Sequence, residues 1–208
     1  MITLKENMTI LFEGDSITDA GRSRENDGFL GFGYPTLVAA TMQAWYPELY
    51  LKFINRAVSG NRTIDLVQRW AADAETIKPD VISIMIGIND TWRRYDSNDP
   101  TSTEAFEANY RNVLERSKKL TDDLIIIEPY LQLVQPGQEN WLKDDLVNKI
   151  GVCRKLAVEF GTEYIPMHSI MQEAAKLASP AYWAADGVHP TWAGHALIAE
   201  HYTELFEG

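Results

Sequence analysis

Two short segments near opposite ends of the chain hold the residue types that acyl transfer needs. Gly14-Asp15-Ser16-Ile17-Thr18 carries a hydroxyl, and Asp186-Gly187-Val188-His189-Pro190 carries an imidazole with a carboxylate just before it. A serine hydroxyl is a poor nucleophile until a base removes its proton, and the imidazole that does so needs a carboxylate to fix its tautomer and stabilise the imidazolium. Asp186 and His189 supply both from one loop. Pro190 biases His189 toward an extended backbone, and Thr191 is placed to cap the helix that follows. His195 and His201 fall inside that amphipathic last helix, and His168 sits beside a helix start with no carboxylate spaced to orient it. Cys153, the only cysteine, recurs with Ile150, Leu156, Ala157 and Phe160 at helical spacing, which marks a buried, inert thiol rather than a nucleophile. A Gly-Asp-Ser tripeptide is expected by chance only about 0.05 times in a chain of this length, yet by itself it reads equally well as a helix cap behind a turn glycine.

The surrounding elements decide between those readings. Apolar runs bounded by turn residues at Thr9–Phe12, Leu51–Ile54, Val81–Ile86, Leu124–Ile127 and Tyr164–Ile165 predict buried strands. Between them, helical periodicity covers Tyr34–Trp45, Thr63–Thr76, Thr103–Leu120, Trp141–Phe160 and Thr191–Phe206. Strand and helix in alternation predict an α/β fold, a doubly wound parallel sheet of five strands with helices on both faces, because parallel strands need right-handed crossovers. In such sheets ligands meet the carboxyl ends of the strands. Ser16 directly follows the first strand, so its hydroxyl is expected there. The stretch Thr91–Ser102 reads as irregular.

Ester cleavage also calls for donors aimed at the oxyanion that develops on the carbonyl, each worth roughly 3–4 kcal/mol. The second strand is followed by Asn55-Arg56-Ala57-Val58-Ser59-Gly60-Asn61, where Gly60 offers an unshielded backbone N–H. The third is followed by Gly87-Ile88-Asn89-Asp90, where Asn89 offers a side-chain amide. Singly these are ordinary turn residues. Three consecutive strands that each end in a suitable polar group are not expected of turns alone.

Bulk properties narrow the partners. The 208 residues include 19 basic and 30 acidic side chains, for a net charge of -11. Such a surface repels phosphate backbones and anionic lipid, which argues against nucleic acid and membrane as partners and leaves neutral esters and sugars open. Length and 45% hydrophobic content suit one domain over residues 1–208. No basic leader with an apolar run opens the chain and no stretch is long enough to span a bilayer, so a cytoplasmic protein is expected.

With these blocks in order, the chain resembles the SGNH (GDSL-type) hydrolases, named for Ser, Gly, Asn and His in four sequence blocks. The resemblance implies a flavodoxin-like three-layer fold and assigns Ser16 as nucleophile, with its own N–H in the oxyanion hole beside Gly60 and Asn89. It assigns Asp186 and His189 as orienter and base, with no cofactor. The first block reads Gly-Asp-Ser-Ile rather than Gly-Asp-Ser-Leu, one apolar residue for another. Beyond the blocks, Gly14–Arg22, Tyr46–Leu49, Ser83–Asp90, Trp92-Arg93 with Tyr95-Asp96, and the stretch from His189 to His195 look like the acetylxylan esterases of this family. That likeness implies a deacetylase of acylated sugars, with xylo-oligosaccharides as the expected substrates, and assembly as a homo-oligomer. Asp15, Trp92, Arg93, Tyr95 and Trp183 are candidate substrate-binding residues, the aromatic faces for sugar rings and the arginine for hydroxyls. Trp183 stands three residues before Asp186, where the group has it adjacent, so that wall of the pocket is expected to differ.

Three rival functions are weaker. An acyl-ester or thioester hydrolase of the same fold requires an apolar acyl pocket. A metal-dependent phosphoesterase using Asp15, Asp19 and Asp90 lacks paired histidines, clustered carboxylates and a glycine-rich phosphate loop. A non-catalytic carbohydrate-binding protein has no use for Ser16, Asp186 and His189 together.

Overall fold

The computed structural model describes residues 1–208. The central sheet is built from β2 (Thr9–Gly14), β3 (Lys52–Asn55), β4 (Val81–Met85), β5 (Asp123–Ile127) and β6 (Glu163–Ile165). All pairs are parallel and the spatial order is β3-β2-β4-β5-β6. The expected α/β architecture is therefore present.

Strand alternation explains why both faces are covered. Successive side chains of a strand point to opposite faces. Ile10, Phe12, Val81, Met85, Ile125 and Ile127 enter one core cluster, while Leu11, Ile82, Ile84, Leu124 and Ile126 enter the other. The first cluster is completed by α2 (Tyr34–Trp45), α8 (Met167–Ala174) and α10 (Trp192–Thr203), through Tyr34, Val38, Met42, Met171, Ile198 and Tyr202. The second is completed by α3 (Thr63–Trp70), α5 (Thr103–Ser117) and α7 (Val147–Phe160), through Trp70, Phe106, Tyr110, Cys153 and Leu156. Cys153 is fully buried, and burial pushes its thiol well above the ordinary range.

Chain order reverses between β2 and β4: β3 lies on one side of β2, and β4 then opens the other side. Such a switch point leaves a crevice beyond the carboxyl ends of the two strands. Ser16 opens the short helix α1 (Ser16–Asp19) after β2, and Asn89 lies in the first turn of α4 (Ile88–Asp96) after β4.

Two expectations need correction. Thr91–Asp96 is helical, not irregular, because α4 runs through it. Its sequence is polar on nearly every side, with Trp92 the main apolar anchor past its first residue, so no apolar period announces it. The last helix stops at Thr203, and Phe206 instead enters β7 (Phe206–Glu207), which pairs with β1 (Ile2–Thr3).

Candidate active site

The Ser16 hydroxyl is held at the crevice by its local fold. The Asp15 carboxylate accepts the Ile17 N–H at 3.0 Å and caps α1. Asp15 is thus buried and turned inward: it holds the Ser16 turn rather than facing substrate. Burial pushes its carboxyl up to about 7, opposed by the Ile17 hydrogen bond and by the nearby His189.

Across the crevice, Ser16 Oγ lies 2.9 Å from His189 Nε2, and His189 Nδ1 lies 2.6 Å from Asp186 Oδ2. The other oxygen of Asp186 accepts the backbone N–H groups of Val188 at 2.9 Å and His189 at 2.7 Å. One carboxylate therefore fixes both the loop and the ring. Burial would raise Asp186, but the His189 ring and these two N–H groups together hold it at about 2. The bond to Asp186 raises the His189 imidazole above its ordinary 6.5, against the opposing effect of burial. In this arrangement the Asp186 carboxylate accepts Nδ1–H, which leaves the Nε2 lone pair free to take the Ser16 proton.

The loop is braced from residues that carry no sequence signal of their own. Gln138 donates to the Asp186 carbonyl at 2.7 Å and accepts the Val134 and Gln135 N–H groups, and Tyr130 donates to the Val188 carbonyl at 2.8 Å. Gly187 has φ +92, and a Cβ there would stand 2.4 Å from the Gln132 carbonyl oxygen. Only glycine fits.

The remaining donors arrive from β3 and β4. Asn55, at the end of β3, donates to the Thr18 and Leu30 carbonyls at 2.7 and 2.8 Å and accepts the Ala57 N–H at 3.0 Å. Asp19 of α1 accepts the Ser59 N–H at 2.8 Å and its hydroxyl at 2.9 Å. The Gly60 loop is so tied to the Ser16 helix. Gly60 takes φ +83 and its N–H has no acceptor in the protein. The Ser16 N–H, first in its helix, has none within that helix. One proton of the Asn89 amide goes to the Asn61 carbonyl at 3.1 Å, and the second remains for another acceptor. Two backbone donors and one amide, carried beyond the ends of β2, β3 and β4, are the parts that can bind a developing oxyanion.

Of the aromatic candidates, Trp92 reaches the site, with its ring 6.0 Å from that of His189. Arg93 lies over the Trp92 ring at 5.4 Å and pairs with Asp96 at 2.6 Å. Tyr95 stacks on Trp141 at 5.4 Å and donates to the Asn140 carbonyl at 3.0 Å. Trp141 in turn lies 5.4 Å from Trp92, a partner the helical pattern around it concealed. Trp183 is not brought to the crevice. Its indole donates to the Ala174 carbonyl at 2.9 Å, and its ring lines a groove between α8 and α10 with Ile170, Leu177 and Leu197. The expected substrate contact from Trp183 is therefore corrected: the bond to the Ala174 carbonyl holds its indole in that groove.

Other residues raised by the sequence are engaged elsewhere. His195 accepts the Tyr34 N–H at 3.1 Å, and burial lowers its imidazole to about 4; His201 pairs with Glu204 at 3.0 Å. Asp90 accepts the Thr63 hydroxyl at 2.7 Å, and Asp19 pairs with Arg24 at 2.8 Å. With Asp15 capping α1, each of these three aspartates is committed to its own chain.

Known proteins share this fold and its sequence family. The model of the GDSL-like Lipase/Acylhydrolase family matches residues 12–197. An acetylxylan esterase of Geobacillus stearothermophilus is 35% identical over 201 residues, 93% of this chain and 91% of that one. The crystal structure of an acetylxylan esterase from the same organism superposes with a TM-score of 0.90 at 33% identity, covering 98% of this chain and 95% of that one. Catalytic mutants of that enzyme, with a serine, a histidine or an aspartate replaced by alanine, have the same fold. A structure described as a GDSL-like lipase from Parabacteroides merdae gives a TM-score of 0.90 at 33% identity, with 97% and 96% coverage. No helix of the chain is long and apolar enough to cross a membrane. This chain belongs to the GDSL-like lipase/acylhydrolase family and is a carboxylic ester hydrolase.

Proposed function

We propose that the chain removes acetyl groups from short acetylated sugars, xylo-oligosaccharides foremost, through an acetyl-enzyme on Ser16. The observation that carries this reading is the relay of 2.9 Å from Ser16 to His189 and 2.6 Å from His189 to Asp186. His189 takes the Ser16 proton as Oγ attacks the acetyl carbonyl, and the N–H groups of Ser16 and Gly60 with the Asn89 amide receive the oxyanion. His189 then protonates the departing sugar hydroxyl, and in the second step it activates the water that releases acetate. Trp92 lines the site beside the relay, and Arg93 and Tyr95 of the same helix are the further contacts for the sugar. The substrate class is supported by the acetylxylan esterase that is 35% identical over nearly the whole chain.

The same reading places the chain in the cytoplasm as one catalytic domain and assembles it as a homo-oligomer. Exposed aromatic residues support the assembly: Trp45, Tyr50 and Trp192 are each more than half exposed. Sedimentation of the purified protein tests it.

The decisive experiment is Ser16→Ala, assayed on a chromogenic acetate ester and on acetylated xylo-oligosaccharide. Both activities should vanish, and wild-type turnover on either would refute Ser16. A synthetic ester series tests the acyl group: acetate should far exceed butyrate.

A further inference from the structure

Arg69, on α3, touches neither Ser16 nor His189, and its guanidinium is spent on the chain segments that carry the oxyanion donors. Nε donates to Asn61 Oδ1 at 2.8 Å, Nη1 to the Arg56 carbonyl at 2.9 Å, and Nη2 to the Gly14 carbonyl at 3.4 Å. Each contact lies close to a donor. Gly14 precedes Ser16 on the same turn, Asn61 follows Gly60, and the Asn61 carbonyl takes the Asn89 amide proton at 3.1 Å. We propose that Arg69 is a positioning residue for ester cleavage, setting the mutual geometry of the Ser16, Gly60 and Asn89 donors through Gly14, Arg56 and Asn61. This rests on the reading of those three groups as the oxyanion site.

Two further features direct Arg69 to this task. First, α3 does not need it for docking. Leu66 and Trp70 bury the helix against the sheet, Asp65 accepts the Arg62 N–H at 2.7 Å, and Asp90 accepts the Thr63 N–H and hydroxyl. Second, the guanidinium is anchored from beneath. Nη1 pairs with Asp73 and stands 2.8 Å from Glu13 Oε2, off the line of a hydrogen bond. Glu13 is fully buried on β2 and has no other ion-pair partner. Burial pushes its carboxyl up to about 7, while the charge of Arg69 pulls the other way. A planar fork with fixed donor directions can grip three acceptors while facing these carboxylates; a lysine ammonium is a point charge and cannot.

The test is a set of variants assayed on a chromogenic acetate ester: Arg69→Lys, Asn61→Ala, Asn89→Ala and the Asn61→Ala/Asn89→Ala pair. Displacements of under an ångström at a reacting centre cost up to about 100-fold, so Arg69→Lys should lower kcat by roughly 10–100-fold with KM little changed. Asn61→Ala should lower kcat by about tenfold in the wild-type background and by a smaller factor, about threefold, where Asn89 is already alanine, because the Gly60 donor still loses its tether while the Asn89 share is gone. Equal loss in both backgrounds, or an unchanged kcat in Asn61→Ala, overturns the proposal. Should Arg69→Lys fail to fold, the Asn61 cycle still decides, since it leaves Glu13 its counterion. Ser16→Ala runs in parallel. Its inactivity beside an unaffected Asn61→Ala overturns the Arg69 role alone, whereas an active Ser16→Ala overturns the site beneath it.

Discussion

Asparagine in place of Asp186 keeps the shape of the loop and inverts the proton logic of the ring. Its amide oxygen can still accept the Val188 and His189 N–H groups, now 2.9 and 2.7 Å from Oδ1. That leaves NH2 facing His189 Nδ1, where Oδ2 stands at 2.6 Å. Two donors cannot share that contact, so Nδ1 must become the acceptor and the ring proton moves to Nε2. There it faces Ser16 Oγ at 2.9 Å, and the lone pair that should take the serine proton is gone. A buried relay held in the wrong tautomer loses about 10⁴ in kcat. The Asp186 and His189 side chains are 36% and 44% exposed, and water can help the minor tautomer form. The expected loss is therefore about 10³–10⁴ in kcat, or roughly 4–5 kcal/mol of transition-state stabilisation. KM should stay within about threefold, because Asp186 acts through His189 rather than on substrate. Steady-state kinetics on a chromogenic acetate ester, with a melting curve to establish folding, measures both. A folded Asp186→Asn protein within about tenfold of wild-type kcat would refute the tautomer argument.

The pH profile should carry the same relay. Because the His189 pKa is raised above 6.5, the base is neutral only above that shifted value, so kcat/KM should fall as pH drops through a midpoint higher than 6.5; a flat rate from about pH 5 to 8 would argue against His189. Stability has the opposite sign. The His189 contribution is fully present below its unfolded pKa and is lost as pH rises through the raised folded value, whereas that of Asp186 is present above 3.8 and lost as pH falls toward 2, which melting temperatures across pH will show. Gly187→Ala forces a Cβ to 2.4 Å from the Gln132 carbonyl oxygen at φ +92, so the loop must shift, costing about 1–3 kcal/mol and a large share of kcat; denaturant melts and kinetics at one temperature check both. Asn55→Ala strips donors from two buried carbonyls and the acceptor from the Ala57 N–H, for an expected loss of about 1–3 kcal/mol in unfolding free energy by urea titration.

Local patterns in the chain were sufficient for the five strands, the order of the blocks and the pairing of Asp186 with His189. Strand periodicity and residue spacing are properties of neighbours in sequence, and Asp186 and His189 share one loop. The contact between Ser16 and His189 is different in kind, since 173 positions separate them and only the packing of α10 against α2, with the bracing of the Asp186–His189 loop by Tyr130 and Gln138, closes that gap. Side-chain direction was likewise a tertiary matter. Asp15 and Trp183 have the right chemistry beside the right residues, yet one turns into the protein to cap α1 and the other turns into the α8–α10 groove. Trp92 to Asp96 looked irregular because a polar helix held by one anchoring face has no apolar period to reveal it. Arg69 was invisible for a related reason: an exposed-looking arginine on an amphipathic helix gains its meaning only when Gly14, Arg56 and Asn61 fold within reach of its guanidinium.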